Sequence, residues 1–175
     1  MQHRDLAYCG LFGAAALLLP VLFHLAHLGH IFMPMYLPLV ALAFFVRPGM
    51  SALTSLLVPL LSGAVTGMPP FYPPIAPIMA VELAIMVAMI GVMRRFFPRV
   101  HMLMVLIPVL ALGRAINAGL MYLVASHLGL PAVFVAGISF LSGWPGIVLM
   151  LVAIPALVRL SPDRLYHTQE DRTHG

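Results

Sequence analysis

The sequence predicts an all-α integral membrane protein, a bundle of six transmembrane helices with both termini cytoplasmic. Three observations predict it. The 175 residues are 62% hydrophobic and 8% charged, with a mean hydropathy of +1.06, whereas a soluble domain carries roughly 25% charged residues. Apolar runs long enough to cross a bilayer recur along the chain. They are continuous rather than alternating, which selects helices over a closed barrel, the two architectures that satisfy every backbone group in lipid. Finally, the arginines fall in alternate loops.

The predicted spans are 6–26, 33–46, 50–67, 75–93, 101–125 and 131–158. The first follows "MQHRDLAYCGLFG"; its apolar run of about 20 residues is longer than a signal-peptide core, so it reads as a retained span. The second is short and has Pro34 and Pro38 near its start. Its status as a crossing rests on Arg47, which would otherwise sit on the wrong side. The third and fourth flank "GMPPFYPPIAP" (67–77), whose five prolines in eleven residues make a stiff, extended loop. The sixth is long, and "SGWPG" (142–146) is expected to bend or interrupt it. Residues 1–160 thus form the membrane domain, and 161–175 a polar cytoplasmic tail.

All nine cationic residues are arginine; there is no lysine. Arg4, Arg47, Arg94, Arg95, Arg99, Arg159, Arg164 and Arg172 lie before span one, between spans two and three, between four and five, and after six. The other three loops hold none. By the positive-inside rule that side is cytoplasmic. Without lysine there is no P-loop, so the chain cannot hydrolyse ATP in that way, and any pumping draws energy from elsewhere. HExxH, GxGxxG and GxSxG motifs are also missing, and the aspartates Asp5, Asp163 and Asp171 lie outside the spans. No catalytic residues and no resident cofactor are expected, and the chain is read as a non-enzyme. The single Cys9 allows neither an intramolecular disulfide nor a cysteine-based zinc cluster.

Two ionisable residues remain inside spans, Glu82 and Arg114. A charge in hydrocarbon costs at least about 2.5–3.5 kcal/mol, so such residues normally face the bundle interior and mark a site. Arg114 lies roughly 18 Å from the outer end of span five at 1.5 Å per residue, and Asn117 and Met121 share its face. A guanidinium beside an amide suits a carboxylate or another acceptor-rich group. Glu82 lies near the outer end of span four, in a stripe with Met79, Met86, Met89 and Met93. A straight-helix estimate separates Glu82 and Arg114 by about 10 Å in depth, too far for a direct bridge, although both can reach one substrate. Small residues mark close helix contacts: Gly10, Gly13 and Ala14 on span one, and Gly63 with Gly67 on span three.

The stretch "FHLAHLGHIFMPMYLP" (23–38) offers His24, His27, His30, Met33 and Met35 to a metal. At 100° per residue the three histidines drift around a helix, so one ion can gather them only if the helix ends within the stretch. Gly29 allows such an ending. The amphipathic alternative makes them rim residues of the outer face.

The block "IFMPMYLPLVALAFFVRPGMSALTSLLVPLLSGAVTGMPPFYPPIAPIMAVELA" (31–84) resembles the substrate-binding S components of energy-coupling factor (ECF) vitamin transporters. The features are "MPMYLP" at the start of span two, "RPG" before span three, "TGMPP" after it and "AVEL" on span four. The departures are Tyr36, where histidine is expected, and Gly10 with Ala14 in place of an Ala-x-x-x-Ala pair. The resemblance implies a bacterial or archaeal cytoplasmic-membrane protein that binds a micronutrient in an outward-facing pocket. It then delivers it with a transmembrane coupling protein and two ATPase subunits. It further implies a pocket lined by Glu82, Arg114, Asn117, Tyr36, Trp144 and Tyr72, and docking through Gly10, Gly13 and Ala14. Two alternatives stand beside it: a metal, haem or corrinoid importer subunit using the His/Met-rich outer loop, and a non-transport membrane scaffold subunit.

Overall fold

A computed structural model describes residues 3–25, 34–97, 99–129 and 143–160, with the single positions 131, 133 and 137. Among the described residues the chain is helical throughout, in six helices: α1 (His3–Leu25), α2 (Tyr36–Leu42), α3 (Pro48–Thr66), α4 (Ile75–Phe96), α5 (Met102–His127) and α6 (Trp144–Leu160). Four of them, α1, α3, α4 and α5, are long and apolar enough to cross a membrane; α6 is a shorter apolar helix. The expected second span is shorter still. Its described helix has only seven residues, about 10 Å at 1.5 Å per residue against a hydrocarbon core of about 30 Å. Residues 43–46 turn instead of continuing it. The run 33–46 reads as a span because it is apolar on every side, and the fold explains why. Helix α2 packs against α1, α3, α4 and α6, and Leu39, Val40, Ala41 and Leu42 are fully buried.

Helix ends follow local chemistry. Pro48 opens α3 at its first position, where no N–H is needed, after extended Arg47. Gly67 closes the same helix with φ +73°, and its N–H bonds the Gly63 carbonyl. Gly67 is therefore a left-handed cap and not the half of a packing pair expected from its spacing. The proline-rich loop returns the chain antiparallel, and α3 lies along α4, which in turn lies along α5. Thr54 Oγ1 and Thr66 Oγ1 donate to carbonyls one turn back, so their hydroxyls meet no lipid unsatisfied. Prolines 20, 59, 108 and 155 sit inside α1, α3, α5 and α6, which membrane bundles tolerate where neighbours re-satisfy the freed backbone. The start of α6 at Trp144 falls within "SGWPG", where a break was expected.

One end of the bundle gathers arginines. Arg47 Nε lies 3.9 Å from Asp5 Oδ2, joining the starts of α1 and α3. Tyr8 and Phe12 of α1 stack on Phe45, with ring centroids 5.4 and 5.2 Å away. Arg94 Nη1 donates to the Phe44 carbonyl at 3.1 Å, and its guanidinium lies 4.8 Å from the Phe44 ring centroid. This ties the turn that follows α2 to the end of α4 and sets a cation near the C-terminal end of α2, where the helix dipole favours one.

In lipid the hydrophobic effect gives apolar side chains no preference for protein over acyl chains, so close packing decides which helices meet. Glycines permit the closest approaches. A Cβ at Gly113 would overlap the Met86 sulfur, one at Gly91 would lie 2.8 Å from Pro48, and one at Gly63 would lie 2.7 Å from the Pro69 carbonyl oxygen and 2.9 Å from Phe71. The methionine stripe of α4 is core packing in this sense: Met86 is buried, and Met79, Met89 and Met93 pack at its margin. On α1 the three small residues separate. Gly13 packs on Val58 at 3.5 Å, whereas a Cβ at Gly10 would meet nothing within 4 Å. Ala14 is exposed.

Gly63→Ala is expected to cost about 1–3 kcal/mol, because backbone oxygen and an aromatic ring must both move. Gly10→Ala is expected to be neutral or mildly stabilising. Thermal unfolding in detergent checks this pair, and equal losses in both variants would contradict the packing described.

Candidate functional site

The six predicted pocket residues do not stay together. Four of them, Glu82, Arg114, Asn117 and Tyr36, are buried, with exposures of 0, 4, 7 and 5%. They come from three helices. Tyr36 opens α2, Glu82 lies two turns into α4, and Arg114 and Asn117 sit one turn apart on α5. The other two lie elsewhere: Tyr72 is 80% exposed in the proline-rich loop, and Trp144 is 47% exposed at the start of α6.

The geometry centres on one carboxyl group. The Tyr36 hydroxyl donates to Glu82 Oε2 at 2.6 Å, and Asn117 Nδ2 donates to the same oxygen at 2.6 Å. The first length falls in the range of hydroxyl–carboxylate bonds, about 2.5–2.7 Å. Glu82 Oε1 is buried without a hydrogen-bond partner among the described residues. Arg114 is buried on the same face of α5, one turn from Asn117. The depth gap of about 10 Å estimated for Glu82 and Arg114 is spanned on the α5 side by Asn117, which stands one turn from Arg114 and reaches Glu82 itself. Counted from the helix ends, Glu82 is seven residues from Ile75 and Asn117 ten from His127, only about 4.5 Å apart in depth.

Each helix presents its group for a local reason. Gly113 precedes Arg114 and lets α5 lie against Met86, one turn after Glu82 on α4. Met35 and Leu39 around Tyr36 are buried in the apolar core, so the phenol has one polar direction available, toward Glu82. Burying these groups singly would cost several kcal/mol each; together they exchange a carboxyl, an amide, a hydroxyl and a cation. Chemically, the cluster combines hydrogen-bond donors, acceptors and a positive charge within three helices.

The histidine stretch contributes little that can be placed. His24 lies in the last turn of α1, while His27, His30 and Met33 fall outside the described residues. Met35 is buried beside Tyr36 in the core. Among the described residues no group of three or more His, Cys, Asp or Glu side chains is placed to hold a metal ion.

One feature escaped the sequence reading. Ser51, Ser55 and Ser62 are fully or nearly fully buried on α3. Their spacing of four and seven residues was the available signal for one small polar face. Ser62 Oγ donates to the Met68 carbonyl at 2.6 Å and ties the proline-rich loop to α3. No family model, curated protein or solved structure matches the chain.

In a double-mutant cycle, Tyr36→Phe and Glu82→Gln are expected to be coupled by about 1–1.7 kcal/mol, the upper range for interhelical hydrogen bonds in membranes. Unfolding free energies of the two single variants and the double variant in detergent or bicelles measure it. Strict additivity would mean the 2.6 Å contact contributes nothing.

Proposed function

We propose that this chain is the substrate-binding subunit of an ECF-type importer. In this reading it takes a vitamin or related micronutrient from the outer side. It passes the molecule inward together with a transmembrane coupling protein and two separate ATPase subunits. The observation that carries the reading is the Glu82 carboxyl. It is fully buried, with two donors on one oxygen and a second oxygen that has no hydrogen-bond partner among the described residues. A purely structural buried carboxylate is favoured only when every lone pair is engaged, because a half-satisfied network is costly. A remaining acceptor beside an amide and a guanidinium suits a small molecule carrying both donors and acceptors. An ionisable group kept inside a membrane bundle marks a substrate path by default.

Two further features support the same reading. The chain has no lysine, hence no P-loop, which fits an importer energised by separate ATPase subunits. The outward face of α1 at Gly10 and Ala14 leaves room for another helix to approach closely. Gly13 belongs to the contact with α3 and is withdrawn from that docking set.

Native mass spectrometry of the detergent-purified protein tests the proposal. A small molecule is expected to copurify with the wild type and to be lost or at least tenfold depleted in Asn117→Ala and Arg114→Ala that still purify as folded protein. A wild type that carries no small molecule from cells supplied with rich medium, or variants that retain it fully, would count against this function.

A further inference from the structure

The arginine-rich end of the bundle holds a second feature, separate from the Glu82 cluster. A cavity of about 590 Å³ opens between the start of α3 and the end of α4, with Arg47 and Arg95 on its polar side and Met50, Val92 and Phe96 on its apolar side. Pro48 packs directly on Gly91, which fixes the two helices against each other at this seam. Arg95 is exposed and makes no hydrogen bond or ion pair with any described residue. Arg47 has a 72% exposed side chain and shares only a 3.9 Å contact with Asp5. Two guanidinium groups therefore flank one cavity, with Asp5 the one carboxylate in contact with either among the described residues. The first turn of α3 adds a partial positive charge on the same side.

The apolar side continues outward. Phe96 is 73% exposed and Val92 44%, and both lie on a helix long and apolar enough to cross a membrane. Val92 lies one turn deeper along α4 than Arg95, while Phe96 stands beside Arg95 at the helix end, so the polar pair sits above an apolar surface, as an amphiphile with an anionic head and an apolar tail requires. Guanidinium groups bind phosphate oxygens through paired N–H donors, and are more weakly hydrated than ammonium groups. A free anion would leave Phe96 and Val92 without a role.

We propose that this cavity binds an anionic phospholipid, its phosphate between Arg47 and Arg95, an acyl chain descending past Val92 and Met50, and Phe96 beside the head group. The site would fix the level of the bundle in the leaflet and make it sensitive to the anionic-lipid content of the membrane. The proposal is independent of the function assigned to the Glu82 cluster.

Native mass spectrometry with defined lipid tests it. The detergent-purified protein is titrated with phosphatidylglycerol and, in parallel, with phosphatidylcholine of the same acyl chains. A third arm adds inorganic phosphate in excess to the phosphatidylglycerol complex. Phosphatidylglycerol is expected to bind more tightly, and Arg95→Gln to weaken it about fivefold, the worth of one arginine near an anionic surface. Inorganic phosphate is expected not to displace the lipid. Arg95→Gln should leave the unfolding midpoint in lipid-free detergent unchanged, which separates loss of binding from loss of fold. Equal binding of the two lipids, undiminished phosphatidylglycerol binding by Arg95→Gln, or full displacement by inorganic phosphate would each overturn the site.

Discussion

Helix α4 holds the short central helix α2 at both ends, and the rest of the fold is arranged around that grip. At one end the Tyr36 hydroxyl meets Glu82. At the other, in the turn just after α2, Arg94 donates to the Phe44 carbonyl and lies on its ring. The two grips are twelve residues apart on α4, about 18 Å, and they require α2 and α4 to run in the same direction. This is a polar constraint in an environment where apolar contact is not selective. Leu39, Val40 and Leu42 would be about as comfortable against acyl chains as against protein; Tyr36 and Glu82 would not. The polar ends therefore fix the position of a helix whose apolar flanks only fill space.

The grip also explains the close approaches. Because α2 occupies the centre, α4 must lie near α3 and α5 on its other sides, and Gly91 and Gly113 supply the room against Pro48 and Met86. The arrangement brings Asn117 to the carboxyl that Tyr36 already holds. The same acid thus joins three helices and keeps one oxygen in reserve. A group that sets packing and also offers a hydrogen bond gives any ligand engaging it leverage over how α2, α4 and α5 sit together.

Much of this was legible in the sequence. Four long apolar runs became helices within a few residues of their expected limits, because length and composition dominate in lipid. Glu82, Arg114 and Asn117 could be singled out because polar groups are rare inside spans. Tyr36 entered only through a family resemblance, since a tyrosine at the start of an apolar run carries no special signal. The second expected span is described only as the seven-residue α2, and composition alone does not separate a helix buried in protein from one immersed in lipid. Tyr72 and Trp144 were placed with the cluster, but aromatic residues near a membrane surface are equally suited to the exposed positions they occupy. Gly67 was read by its spacing to Gly63, whereas its backbone conformation makes it a helix cap.

In the proposed function, Glu82 is the place where packing and recognition meet. A cryo-electron microscopy or crystal structure of the wild-type protein, purified with the molecule it carries, tests this most directly. The prediction is non-protein density within hydrogen-bond distance of Glu82 Oε1, also contacting Asn117 or Arg114. Ligand density elsewhere in the bundle, with the Tyr36–Glu82–Asn117 cluster unchanged and sealed, would contradict it.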